Sequence, residues 1–89
     1  MCKVYSIQGT DGSIYTGWTT DVVHRLQMHN EGRGAKYTRG RGPFLLLCVW
    51  NCENKSEALK LEAKIKKMTR SQKLAYIEET KKNSVLPEE

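Results

Sequence analysis

The 89 residues carry 15 Lys and Arg against 10 Asp and Glu, a formal net charge of +5; one compact core is affordable at this length, a second independent domain is not, and the positive excess points to anionic partners. Three cysteines, Cys2, Cys48 and Cys52, are odd in number and lack two-residue spacing, and the two histidines, His24 and His29, lie far from them, so free thiols in a reducing compartment are expected and a structural zinc is not. No basic segment at the start leads into a long apolar run, and nowhere do eighteen apolar residues occur together, so a soluble, cytoplasmic protein with no membrane partner is expected.

In chain order, Lys3 to Gln8 and Ser13 to Trp18 are short runs rich in Val, Ile, Tyr and Thr. The segment Gly9, Thr10, Asp11, Gly12 between them reads as a turn, which predicts two antiparallel strands. Asp21 to His29 places Val22, Val23 and Leu26 on one helical face, with Asp21 suited to the positive N-terminal end. Glu31 to Gly42 is rich in glycine and basic residues without apolar periodicity, which predicts an exposed, mobile basic loop. After Pro43, Phe44 to Trp50 is almost wholly apolar and fits a buried central strand.

Asn54 and Glu57 have the spacing of a capping box ahead of Ala58, Leu61, Ile65 and Met68, the stripe of a second helix. Thr69 and Gln72 repeat the start signal for a short third helix, with Leu74 and Ile77 inward. Beyond Glu78 the chain is polar and carries Pro87, as expected of a frayed tail. The expected organisation is one domain over 1–80 with a flexible polar tail over 81–89. Its fold class is α+β, a three-stranded antiparallel β-sheet flanked by helices in the order β-β-α-β-α-α.

Between residues 24 and 41 stand five basic side chains, Arg25, Arg33, Lys36, Arg39 and Arg41, against the single acid Glu31. Such a stretch suits phosphate contact, and equally a solvated basic face. Arg25 and His29 are four apart on one helix and can reach a common phosphate, although two ordinary surface residues have the same spacing. Glu62 sits at the margin of the second helix's buried stripe, where a surface ion pair with Lys66 is the plainer account. Tyr5 and Tyr15 lie on the hairpin strands, where aromatics often only fill a pleated surface. Gly32, Gly34, Gly40 and Gly42 neither follow a strand nor open a helix, so a nucleotide-binding phosphate loop has no support.

Taken together, the pattern from Val4 to Ala75 resembles the GIY-YIG nuclease superfamily, and in particular its short stand-alone bacterial members. Val4-Tyr5 matches the end of the first motif half and Tyr15-Thr16-Gly17 the second, with Thr16 where isoleucine is usual. Arg25 in Val-Val-His-Arg-Leu, followed by His29-Asn30, resembles the family's helix-borne arginine and its companion. Gly34-Ala35-Lys36-Tyr37-Thr38-Arg39 resembles a signature of the stand-alone subgroup, and Ser56 to Glu62 the segment bearing the metal-binding glutamate.

The resemblance implies a metal-dependent endonuclease that hydrolyses DNA phosphodiesters, single-stranded or branched, in repair or processing. It implies Glu62 as the ligand of Mg²⁺ or Mn²⁺, Arg25 as the neutraliser of developing charge, and Tyr15 as the residue that orients or deprotonates the attacking water. Tyr5 and His29 would complete the hydrogen-bond set. Arg33, Lys36, Arg39 and Arg41 would contact phosphates and Tyr37 would stack on a base, with DNA ahead of RNA as partner. Trp18 stands where repair-type relatives often carry lysine, and no separate DNA-recognition domain is evident. The rival expectation is therefore a catalytically weak nucleic-acid-binding module, or a subunit that needs a protein partner; a monomer or weak dimer is expected in either case.

Overall fold

The computed structural model describes residues 2–34 and 38–83. Its elements are β1 (Cys2–Gln8), β2 (Ile14–Thr19), α1 (Val22–Asn30), β3 (Leu45–Cys52), α2 (Lys55–Lys66) and α3 (Arg70–Asn83). The α+β class and the element order stand as expected. Gly12, at φ 85°, supplies the left-handed residue that the turn between β1 and β2 requires. Asp11 closes that turn by accepting from the Ser13 amide at 3.0 Å and its hydroxyl at 2.6 Å.

The strands are ordered β2-β1-β3, both pairings antiparallel, with a register shift between Ser6 and Ile7 on the β3 side. The expectation that Phe44 to Trp50 forms the central strand is thus corrected. β1 is central, with Val4 to Ile7 all buried, while β3 is an edge strand whose Leu45 is 71% exposed. Apolar composition records what a side chain tolerates; it does not record how many neighbours the backbone pairs with.

Alternation along β1 divides the core between two faces. One face carries Val4, Cys52, Ala58 and Ile65, joined by Trp18, Trp50, Leu61 and Tyr76 from the β2, β3, α2 and α3 side. The other carries Tyr5, Ile7 and Phe44 with Tyr15, Val22, Leu26 and Val49, covered by α1. Ser6 and Thr16, both buried on paired strands, satisfy one another through a 2.8 Å hydroxyl bond.

Both capping signals operate. Asn54 accepts from the Glu57 amide at 2.9 Å, while the Glu57 carboxylate turns back to the Glu53 amide at 3.0 Å. Thr69 and Gln72 cap each other reciprocally, at 2.9 and 3.2 Å. The third helix is longer than expected: α3 continues past Glu78 to Asn83, so residues 81–83 of the expected tail are helical. Trp50 explains the extension, because its indole N–H donates to the Thr80 hydroxyl at 3.0 Å and its ring stacks on Tyr76. A helix with so few apolar residues shows little periodicity, and one strand-borne tryptophan carries its C-terminal half. Residues 84–89 lie outside the described part of the chain.

Candidate active site

Five side chains from four elements converge around the Tyr5 hydroxyl. Tyr5 projects from the middle of β1 towards α1 and is 1% exposed. Its register partner on β2 is Gly17, and a Cβ at that position would come within 2.7 Å of the Tyr5 oxygen. The missing side chain is therefore what lets the phenol lie across β2. Tyr15, two residues earlier on β2, reaches the same face, with its ring centre 6.4 Å from that of Tyr5. Gly17→Ala is expected to cost about 1–3 kcal/mol through overpacking and to displace the Tyr5 hydroxyl; chemical denaturation together with the tyrosine ring resonances tests this, and an unperturbed melt with unmoved resonances would refute it.

α1 delivers the next two residues. Asp21 caps it by accepting from the His24 amide at 3.0 Å, and the four-residue spacing then puts Arg25 and His29 on one face. His29 is buried, with Nε2 2.7 Å from the Tyr5 hydroxyl and Nδ1 2.8 Å from the Thr38 hydroxyl. Its ring lies 5.2 Å from Tyr15 and 6.1 Å from Phe44, centre to centre. Gly34 passes so close that any β-carbon there would overlap the imidazole.

Charge sets the protonation states. Burial raises the Tyr5 hydroxyl to about 12; a hydrogen bond and the positive charge of Arg25 oppose the rise, whereas Tyr15 and Glu62 add to it. Burial, helped by Arg25, lowers the His29 imidazole below its ordinary value. At neutral pH the pair is thus a neutral phenol and a neutral imidazole. With Arg25 donating to the phenol oxygen, the Tyr5 O–H donates to Nε2 and the Nδ1–H donates to Thr38.

A pH dependence of stability follows. The unfolded chain takes up a proton at histidine near pH ~6.5 before the folded chain does, so stability is full above that pH and falls as acid is added. At the alkaline end the unfolded Tyr5 ionises first, near its ordinary 10, and stability declines as pH rises from there towards 12. Urea midpoints between pH 5 and 8 should fall on the acid side in the wild type and flatten in His29→Gln; parallel curves would contradict the assignment.

α2 brings the carboxylate. Glu62 has a side chain only 16% exposed and pairs at 3.2 Å with Lys66, one turn on. Its negative charge adds to the rise of the Tyr5 hydroxyl, and the Arg25 charge opposes it. The Lys66 ammonium also stands 5.6 Å over the Tyr15 ring, bridging the glutamate to β2. The plainer account of Glu62 as an ion-pair partner of Lys66 is therefore true, and so is its convergence on the tyrosines.

The basic loop is arranged differently from expectation. Thr38 is buried and bonded to His29, the Arg41 amide donates to the Thr38 carbonyl at 3.2 Å, and the Phe44 amide donates to the Asn30 side chain at 2.7 Å. The described part of the segment is therefore pinned to the site, in contrast to the free mobile loop that its composition suggested. Arg33 pairs with Glu31 at 2.6 Å and Arg41 with Asp11 at 2.7 Å, while Arg39 is exposed. Lys36 and Tyr37 fall outside the described residues. Gly17, Thr38 and Lys66 are the contributors that residue type alone did not mark, and only the Tyr-Thr-Gly and Tyr-Thr-Arg strings hinted at the first two.

Glu62 is the one carboxylate of the cluster, and no group of three or more His, Cys, Asp or Glu gathers into a metal cage among the described residues. Both His29 nitrogens are already engaged. A partly buried carboxylate with an ammonium standing on it nonetheless suits a hard divalent cation. Mg²⁺ keeps several waters and commonly takes one or two carboxylates plus substrate phosphate oxygens.

The fold belongs to a recognised class. The GIY-YIG catalytic domain family matches residues 1–84, and the chain belongs to that family, whose members are generally endonucleases. Within it the relatives are UPF0213 proteins, a single-domain group. One from Oceanobacillus iheyensis is 55% identical over 75 residues, 84% of this chain and 87% of that protein. The solution NMR structure of a UPF0213 protein from Bacillus halodurans is 46% identical, covers 88% of this chain and 84% of its own, and has a TM-score of 0.58. That of an E. faecalis protein is 38% identical, covers 98% and 93%, and has a TM-score of 0.66. No helix of the described residues is long and apolar enough to cross a membrane.

Proposed function

We propose that the protein is a divalent-metal-dependent endonuclease that hydrolyses DNA phosphodiesters, on single-stranded or branched substrates, in repair or processing in the cytoplasm. The observation that carries this reading is the convergence of Arg25, Tyr15, His29 and Glu62 on the Tyr5 hydroxyl. Glu62 would hold Mg²⁺ or Mn²⁺. When bound, the cation supplies positive charge to the scissile phosphate and the leaving oxygen.

The chain's own groups do the rest. Arg25, which donates to the Tyr5 phenol oxygen, neutralises charge that develops on the phosphate oxygens. Tyr15 orients the attacking water through its phenol oxygen, and takes up the water's proton only as a phenolate whose own proton has already passed to solvent. Tyr5 stays neutral and, with His29 behind it, fixes the Arg25 guanidinium through the phenol oxygen. Arg33, Lys36, Arg39 and Arg41 contact flanking phosphates, and Tyr37 stacks on a base. The ion pairs of Arg33 and Arg41 are solvent-exposed and screened by salt, so a phosphate displaces them readily.

Cleavage of labelled single-stranded, duplex and branched DNA with Mg²⁺ or Mn²⁺, with Arg25→Ala alongside, tests the reading. Arg25→Ala should cut on the order of 10²-fold more slowly, as for loss of one charge-stabilising donor; equal cutting by both proteins would remove Arg25 from the chemistry. One feature favours a second reading, a nucleic-acid-binding module with feeble turnover or a subunit awaiting a protein partner. Lys66 already places its ammonium on the Glu62 carboxylate and competes there with any metal. Wild-type protein that binds DNA in a salt-sensitive manner and never cuts would establish that alternative.

A further inference from the structure

The site does not end at Tyr15. A 340 Å³ cleft runs along the outer edge of β2, lined by Ile14, Tyr15 and Thr16 on one bank and by Lys66 and Lys73 on the other. A second cleft of 200 Å³ shares Ile14 and Lys73 with it and ends at Ser13 and Arg70. Together they lead from the Tyr15 ring past the start of α3 to the turn between β1 and β2. A water occupies about 30 Å³ of liquid volume, so either cleft has room for a phosphodiester group.

The cations along this track are Lys66, Lys73 and Arg70, and the nearby acids are spoken for. Asp11, the carboxylate of the turn, is answered by Arg41 and by Ser13. Glu62 is answered by Lys66. No ion pair or side-chain hydrogen bond engages the Lys73 ammonium among the described residues. Arg70 is held in place by one bond, from its guanidinium to the Gly12 carbonyl. Four of its five N–H donors remain for a ligand. Lys73 and Arg70, unlike Arg33 and Arg41, have no carboxylate ion pair to give up among the described residues.

We propose that the β2–α3 cleft is a phosphate-binding subsite for the polynucleotide strand on one side of the scissile bond, with Lys73 and Arg70 as its phosphate ligands. The proposal rests on the reading of the protein as a nucleic-acid enzyme and extends it to residues on the third helix. Contact there is to phosphate and carries no base information, so binding contributed by the subsite is independent of sequence.

The test uses the full chain, a labelled single-stranded 12-mer DNA and the matching duplex, with chelator present so that nothing is cut. Affinity is measured across a salt series for wild type, Lys73→Gln and Lys82→Gln, the last being the same charge change nine residues, roughly 14 Å, further along α3. Lys73 makes no side-chain bond among the described residues, so its replacement leaves their packing intact. Lys73→Gln should bind every sequence more weakly to the same degree and reduce the log–log salt slope by about 0.7 on the single strand and about 0.9 on the duplex; Lys82→Gln should match wild type. If the two variants bind alike, the subsite is refuted, and cutting by wild type in a parallel assay with metal would then leave the endonuclease reading standing. The Lys73 signature in a protein that never cuts supports the subsite and overturns the enzyme. Wild-type protein that binds neither DNA overturns both.

Discussion

Glu62→Gln is expected to lower DNA cleavage on the order of 10²–10³-fold while its melting temperature stays close to that of the wild type. The substitution keeps the shape of the side chain and removes its charge, so the loss falls on whatever the charge holds. In the absence of metal that partner is Lys66, at 3.2 Å, with a side chain 48% exposed, an i,i+4 pair contributing about 0.3–0.5 kcal/mol. In a working enzyme it would be the divalent ion, which the amide holds far less well. Single-turnover rates at saturating Mg²⁺ and Mn²⁺, beside Glu78→Gln as an exposed control, decide the matter. Wild-type rates in the Glu62 variant would remove the residue from the chemistry.

His29→Ala is expected to be the most damaging single change for the fold. The ring is 1% exposed, ringed by Tyr5, Tyr15 and Phe44, and bonded at both nitrogens. Truncation leaves a cavity and removes the imidazole bond from two buried hydroxyls, those of Tyr5 and Thr38. The cavity and the two lost hydrogen bonds together should cost about 3–5 kcal/mol. For a domain of this size that corresponds to a fall of roughly 15 °C or more in the melting temperature. Calorimetry reads it directly, and a loss below about 1 kcal/mol would show that the imidazole is not the pin described above. Thr38→Val tests the same bond from the loop side, and its effect should be smaller in the His29→Ala background, where the bond between the two residues is already gone.

The contrast between what the chain's pattern conveyed and what it concealed follows from locality. Strands, helices and caps were legible because they depend on residues within a turn or two of one another, as in Asn54 with Glu57 or Thr69 with Gln72. The position of β3 was not, since Leu45, Leu46 and Leu47 read as core and yet lie on an edge strand, where pairing with β1 satisfies only one side of the backbone. The length of α3 depended on Trp50, thirty residues away from Thr80. Thr38 read as one more polar loop residue because nothing local shows that its hydroxyl meets His29.

The candidate site divides in the same way. Arg25 and His29 were visible as a pair through helical spacing, and each tyrosine was visible as a strand residue. Their relation to Glu62 was not contained in any local pattern and came only from the resemblance of the whole chain. Gly17 shows why. Its importance lies in the space it leaves for a ring from the neighbouring strand, and an absent side chain has no signature of its own.

The distribution of the cluster along the chain has one more effect, in time. Tyr5 is made first and Glu62 fifty-seven residues later, after the hairpin, α1 and β3, and an extended tunnel of the translating ribosome still holds α2 when those earlier parts emerge. A growing chain can therefore expose its basic surface while it lacks the only carboxylate of the cluster. Under the proposed function, the cluster acquires its one carboxylate, and with it the group that would hold a cation, only once α2 has left the ribosome.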